Sequence, residues 1–186
     1  GAMRGTDGYD HIGMIDASGG VLDQDYEMFE QQTPHLLEQH EYLCDSAGAG
    51  RCRGGLGVAT RYRVGGEKTQ LVVFGDGDVE PAFGLAGGGP GTLNKIELTY
   101  PDGRVYIARS KDIIRDVPAG TIYVQEAGGG GGFGPPTERP AETVRAEVLD
   151  GIISLAAARD VYRVVLDPQT LALNEAETAR RRGARR

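Results

Sequence analysis

The stretch Glu126-Ala-Gly128-Gly-Gly-Gly-Gly132-Phe-Gly134-Pro-Pro136-Thr-Glu138-Arg-Pro140 divides the chain, with β-type alternation before it and helix-type periodicity after it. Five consecutive glycines offer no side chain to bury and lose the most backbone entropy on ordering. A flexible Gly/Ser-type linker is one reading. The run contains no serine, however, follows the alternating segment Thr121-Ile-Tyr-Val-Gln125 directly, and stops at Phe133 and two prolines. These neighbours favour an ordered junction at which backbone approaches something closely.

Upstream, Leu56-Gly-Val58-Ala-Thr60-Arg-Tyr62-Arg-Val64 and Thr69-Gln-Leu71-Val-Val73-Phe74 alternate around Gly65-Gly66 and predict a hairpin. Asn94-Lys-Ile96-Glu-Leu98-Thr-Tyr100 and Arg104-Val-Tyr106-Ile-Ala108 flank the turn Pro101-Asp-Gly103 and predict a second. Asp112-Ile-Ile114 and Ile122-Tyr-Val124 add extended segments. The glycine- and proline-dense stretch from Gly75 to Gly91 reads as irregular backbone. Nearer the N-terminus, Ile12-Gly-Met14-Ile15 suggests a short strand. Thr33 before Pro34 predicts a short helix from Pro34 to Gln39, followed by a strand over Tyr42-Leu-Cys44.

Downstream of Pro140 the period becomes helical. Ala141, Val144, Val148 and Leu149 share one helix that ends at Asp150-Gly151. Ser154 caps a second, from Leu155 to Tyr162, and Asn174 with Glu177 forms a capping box that opens a third. The fold class is therefore α+β: mainly antiparallel β, sandwich or barrel-like, with about seven or eight strands and a C-terminal cap of two or three helices. Residues 4–139 form the β-rich domain and residues 140–186 the cap, packed as one structural unit. Gly1-Ala2-Met3 resembles the scar left by protease cleavage of a fusion and stands outside the domain.

Composition limits the chemistry. The 186-residue chain is 39% hydrophobic, contains 30 glycines and no tryptophan, and carries a net charge of −7. No apolar run approaches the roughly 20 residues of a membrane-spanning helix, and no secretory segment is evident. Five arginines fall in the last seven residues, so the body is more acidic than the total, which argues against nucleic-acid binding. A helix–turn–helix role for the C-terminal helices fails because the second carries one arginine and no Lys, Asn or Gln. Cys44 and Cys52 make neither a disulfide framework nor a metal quartet, and a reduced cytoplasmic pair is the default reading. His11, His35 and His40 lack metal spacing, and Ser18, Ser46, Ser110 and Ser154 lie outside any nucleophile motif. No catalytic or metal-ligating residue is assigned. Backbone is what can bind: Arg51 and Arg53 flank the approach to Gly54 and Gly55, and Gly128, Gly129, Gly130, Gly131 and Gly132 present successive amides that can form an anion nest. These nine residues are the candidate ligand or interface contacts. The alternative is that the arginines pair with nearby carboxylates and the glycines turn the chain.

Four ordered segments carry a resemblance. They are Asp45 to Val58, with Gly48-Ala-Gly50-Arg-Cys-Arg53-Gly-Gly55; Phe83-Gly84-Leu-Ala-Gly87-Gly-Gly89-Pro-Gly91; Gly128 to Gly134 with Pro136 and Glu138-Arg139; and Asp150 to Leu166. Together they resemble the C-terminal region of the hydantoinase B family, which includes N-methylhydantoinase B subunits, 5-oxoprolinases, and acetone and acetophenone carboxylase subunits. The resemblance implies a C-terminal domain or small subunit of an ATP-dependent cyclic-amide hydrolase or ketone carboxylase, one that contributes to assembly or to the edge of an active site. It implies a large ATP-binding A-type subunit and the rest of the B component as partners, with ATP and a divalent metal ion held there and no cofactor in this chain. Relatives often carry an aromatic where Cys52 stands, and basic residues where Gly75-Asp-Gly77-Asp78 stands. Loss of that positive charge weakens phosphate binding by the loop. A scaffold or binding protein that kept the fold without the reaction is the competing class.

Overall fold

A computed structural model describes residues 1–10 and 25–183. Its described elements are α1 (Tyr26–Gln32), β1 (Leu36–Tyr42), β2 (Val58–Arg63), β3 (Thr69–Phe74), β4 (Lys95–Thr99), β5 (Val105–Ala108), β6 (Lys111–Val117), β7 (Ile122–Glu126), α2 (Ala141–Leu149), α3 (Leu155–Asp160) and α4 (Glu175–Gly183). Five strands form an open antiparallel sheet in the order β1-β2-β7-β4-β5, and β3 pairs with β6 as a separate ribbon. Val64, Val73, Leu98, Ala108 and Val117 form a core between ribbon and sheet, with Leu71, Ile114 and Tyr123 against it. Leu98 is fully buried there, worth about 1.5–3 kcal/mol of transfer free energy.

Local turn chemistry formed the β4–β5 hairpin as expected: Gly103 sits at φ 84° and donates to the Tyr100 carbonyl at 2.9 Å. The expected β2–β3 hairpin does not form. Gly65-Gly66 turns the chain from the five-stranded sheet into the ribbon, because β2 gains partners on both sides, β1 and β7, from segments distant in sequence.

The expected helix from Pro34 to Gln39 is instead strand β1, and the strand expected over Tyr42-Leu-Cys44 is that strand's end. Thr33 closes α1 rather than opening a helix, its amide and hydroxyl both donating to the Phe29 carbonyl at 2.9 Å. A six-residue helix would lack cooperative support, whereas β1 gains a ladder with β2 and a double ion pair from Glu38 to Arg61 and Arg63. The acidic segment just before it supplies α1, capped by Asp25, whose Oδ1 accepts from the Met28 amide at 3.0 Å. The short strand expected over residues 12–15 lies outside the described residues.

The C-terminal helices follow their capping signals. Ser154 Oγ accepts from the Ala157 amide at 3.0 Å, and Asn174 Oδ1 accepts from that of Glu177 at 3.0 Å. Gly151 ends α2's exit turn at φ 73°. A second core, Val144, Ile153, Ala158, Tyr162, Val164 and Leu166, holds α2, α3 and the following extended piece together, with Ala49 of the β-rich part packed against it. The cap is also tied by Asp45, whose amide donates to the Ile152 carbonyl at 3.0 Å and whose Oδ1 accepts from the Ser154 amide at 2.8 Å.

Candidate functional site

Between the two apolar cores lies a block built almost wholly of backbone. Gly128–Gly132 runs through its middle, and residues 46–57 and 83–92 surround it. The Gly48 amide donates to the Gly130 carbonyl (2.8 Å), that of Gly130 to Gly55 (2.8 Å), that of Gly132 to Gly89 (3.0 Å) and that of Leu85 to Gly132 (2.9 Å). Side chains complete the near end, where Asn94 Oδ1 accepts from Gly128 at 2.5 Å and Thr92 Oγ1 from Gly129 at 3.4 Å. At the far end Cys52 and Phe133 exchange both backbone bonds, at 3.0 and 2.9 Å. Ala2 donates to the Gly131 carbonyl at 2.9 Å, so residues 1–3 lie against the run.

None of the five glycines has a positive φ, so conformational freedom is not why they are glycine. Space is the reason. A Cβ on Gly131 would stand 1.9 Å from the Phe83 carbonyl oxygen, one on Gly132 2.3 Å from that of Ala49, and one on Gly129 2.2 Å from that of Ser46. The surrounding glycines show the same constraint: a Cβ on Gly54 would meet the Gly130 carbonyl oxygen at 1.9 Å, and one on Gly57 that of Ala127 at 1.8 Å. Among the described residues, four of the five amides in the run, all but that of Gly131, are already donated to the chain's own acceptors.

A buried ionic network seals this block to the cap. Arg139, just past the run and 3% exposed, clamps Asp7 through both carboxylate oxygens (Nη1 to Oδ1 2.9 Å, Nη2 to Oδ2 2.7 Å) and Glu147 of α2 through both of its own (Nε to Oε2 2.9 Å, Nη2 to Oε1 2.6 Å). Arg53, 7% exposed, donates from Nε to Glu147 (2.9 Å) and from Nη1 to Asp10 (2.8 Å) and the Gly54 carbonyl (2.7 Å). Burial works to raise the carboxyls of Asp7 and Asp10. The adjoining guanidiniums and backbone amides outweigh it and hold both below the ordinary aspartate value. Burial likewise works to lower Arg139, and its two carboxylate partners hold it above the ordinary arginine range. From α4, Arg182 donates to the carbonyls of Tyr162 (3.2 Å) and Arg139 (2.8 Å), so part of the arginine-rich C-terminus turns inward.

The predicted contacts thus meet in one place, in different states. Arg53, Gly54, Gly55, Gly129, Gly131 and Gly132 are buried in the block and Gly128 and Gly130 are half-buried in it, whereas Arg51 is exposed and approaches Glu138 only at 4.0 Å. Asp7, Asp10 and Glu147 were missed. Glu147 carried a legible signal, a charge between Val144 and Val148 on the inward face of an otherwise ordinary amphipathic helix. The three carboxylates are committed to guanidiniums and cannot also hold a cation. Among the described residues no group of His, Cys, Asp or Glu is arranged for a metal ion. Cys44 and Cys52 are free thiols, one exposed and one buried. No helix among the described residues is long and apolar enough to cross a membrane.

This geometry defines an α+β protein whose open sheet and helical cap are joined through a glycine backbone block and a buried Arg–carboxylate seam. The chain belongs to the hydantoinase B/oxoprolinase family, whose pattern matches residues 1–136. It is 31% identical over 188 residues to the caprolactamase subunit beta of Pseudomonas jessenii, covering 99% of this chain and 32% of that protein. It is 28% identical to the acetone carboxylase alpha subunit of Xanthobacter autotrophicus, covering 89% of this chain and 26% of the relative. The crystal structure of the ATP-dependent caprolactamase from P. jessenii superposes with a TM-score of 0.73 at 28% identity, over 88% of this chain and 28% of that one. A nucleotide-free acetone carboxylase structure shares the fold, with a TM-score of 0.77 at 23% identity over 98% of this chain and 28% of that one. The chain therefore spans about a third or less of the relatives it matches.

Proposed function

We propose that this chain serves as a structural segment of the B-type subunit in an ATP-dependent cyclic-amide hydrolase or ketone carboxylase. The observation that carries the reading is the 31% identity to caprolactamase subunit beta across 99% of the chain. Its contribution is to assembly and to the edge of an active site. In support, the buried arginines and carboxylates of the block satisfy one another, which suits a rigid part that other parts dock against. The contact surface includes Arg51 and the exposed Phe83 and Leu85 beside the glycine block. Its partners are a large ATP-binding A-type subunit and the remaining B-type polypeptide, where ATP and a divalent metal ion are held.

Co-expression with an A-type subunit and the remaining B-type polypeptide tests this. A stoichiometric complex on size-exclusion chromatography, with ATP turnover stimulated by a lactam or a ketone, is the expected result. A chain that elutes as a lone monomer and leaves ATP turnover unchanged overturns the reading and favours a scaffold that kept the fold alone.

A further inference from the structure

The two edges of the five-stranded sheet are built differently. Edge strand β1 carries a bulge between Leu37 and Gln39 and the charged residues Glu38 and Glu41. Bulges and charges are the usual means of keeping a further strand from adding to an edge. Edge strand β5, Val105-Tyr-Ile-Ala108, has none of these: its register with β4 is unbroken, and its four residues include no charge, proline or glycine.

The ladder with β4 defines the free side of β5. The Tyr100 amide donates to the Arg104 carbonyl at 2.9 Å, and antiparallel pairs alternate between bonded and unbonded. Leu98–Tyr106 and Ile96–Ala108 are therefore the bonded pairs, and Val105 and Ile107 turn their N–H and C=O groups away from β4. Among the described residues no strand lies on that side. Tyr106 stands directly opposite the buried Leu98 and shares its face with Ala108. The Val105 and Ile107 side chains thus lie on the other face, 58% and 54% exposed. A run that is apolar on both faces is the pattern of a strand buried on both sides.

Length and charge select the occupant. This chain covers 32% of caprolactamase subunit beta, leaving most of such a polypeptide to supply a further strand. Exposed Arg104 and Arg109 flank the apolar run, and Asp102, held by Arg104 at 2.7 Å, leaves residues 102–109 net positive. Two β5 strands paired with each other would set like charge against like, whereas a strand with a carboxylate near each end would be attracted.

We infer that β5 is a docking edge for an extended strand of the remaining B-type polypeptide, apolar opposite Val105 and Ile107 and acidic at its ends. This rests on the B-type role proposed above and adds the place and mode of attachment. In strand addition, main-chain bonds give the affinity and alternate side chains the specificity.

Hydrogen exchange, read by mass spectrometry on the isolated chain and on its complex with the remaining B-type polypeptide, provides the test. In the complex the Val105 and Ile107 amides are expected to exchange about tenfold or more slowly than in the isolated chain. Ile107→Pro removes an amide that β4 does not use, which edge strands tolerate, and should weaken the complex about 3- to 10-fold. Ile107→Lys keeps that amide and places a charge on the docked face. It should weaken the complex while the melting temperature of the isolated chain stays unchanged, which covers the case in which the proline variant fails to fold. A complex that leaves both amides unprotected, or that holds Ile107→Lys as tightly as the parent, overturns the docking edge and leaves the B-type role standing. Failure to form any complex overturns both. Protection of the two amides in the isolated chain also overturns the assignment: if it grows with concentration the occupant is a second copy, and if it does not the edge is closed within the chain.

Discussion

At Gly131 a single methyl group decides whether the block can form. The Cβ of an alanine would overlap the Phe83 carbonyl, and that carbonyl belongs to backbone packed on the run, so it cannot swing aside as a side chain end would. Gly131→Ala should therefore destabilise the chain by about 3 kcal/mol or more, the upper end of the overpacking range. Gly75 is the internal control: a Cβ there meets nothing within 4 Å and its φ is not positive. Gly75→Ala should be neutral or stabilising by about 0.4–1 kcal/mol, through loss of unfolded-state entropy. Urea denaturation of the two variants checks both. Equal midpoints would show that the run tolerates side chains and that the close approach is not the reason for its composition. The sequence told that something must approach these glycines, but the partners, Ser46, Ala49, Phe83 and Gly89, lie more than 40 residues away, and spacing does not reveal which backbone arrives.

Among the elements, legibility followed the range of the forces that form them. The β4–β5 hairpin and the helices α2 to α4 are set by turn and cap residues a few positions apart, Gly103, Gly151, Ser154 and Asn174, and were readable. Strand β1 was read as a helix and β2–β3 as a hairpin because their stabilisation comes from ladders formed at long range. The cap depends on the rest in the same way. Glu147 of α2 neutralises Arg53 and Arg139, and Ala49 packs on the cap's core. Deleting residues 140–186 should leave two buried guanidiniums short of a counter-charge and strip the cap's apolar cover from Ala49. Aggregation and loss of cooperative melting are expected. A soluble truncation with an unchanged melting temperature would instead make the cap an independent module.

For the whole molecule, the Arg–carboxylate seam is the link between N-terminal segment, glycine block and cap, and it ties stability to pH. Asp7 and Asp10 are held below the ordinary value of 3.8 when folded. Their contribution is therefore complete above that value and is lost as pH falls through the lower folded values. The melting temperature should drop steeply as pH descends below 3.8, with little change from this pair near neutrality. Arg139→Met removes one guanidinium and leaves Asp7 and Glu147 poorly compensated, so it should cost about 3–5 kcal/mol near neutral pH and flatten the acid limb. Arg51→Ala, exposed and 4.0 Å from its nearest carboxylate, should change stability by less than about 0.5 kcal/mol. Thermal melts of both variants across the acid range distinguish them, and an Arg139→Met profile parallel to the parent would refute the linkage.

By itself the sequence determined the α+β class, the switch from sheet to helix at the glycine run, the capped C-terminal helices, and the set of motifs through which the chain resembles its family. Those features rest on local backbone preferences and on periodicity, which neighbouring residues encode. Only the tertiary structure decided that β2 and β3 belong to different sheets, that the glycines are spaced by other backbones rather than freed for turning, and that Arg53 and Arg51 have opposite environments. Each of these depends on which distant segment occupies the space beside a residue, and close packing and buried charge pairing fix that choice only when the whole chain is assembled.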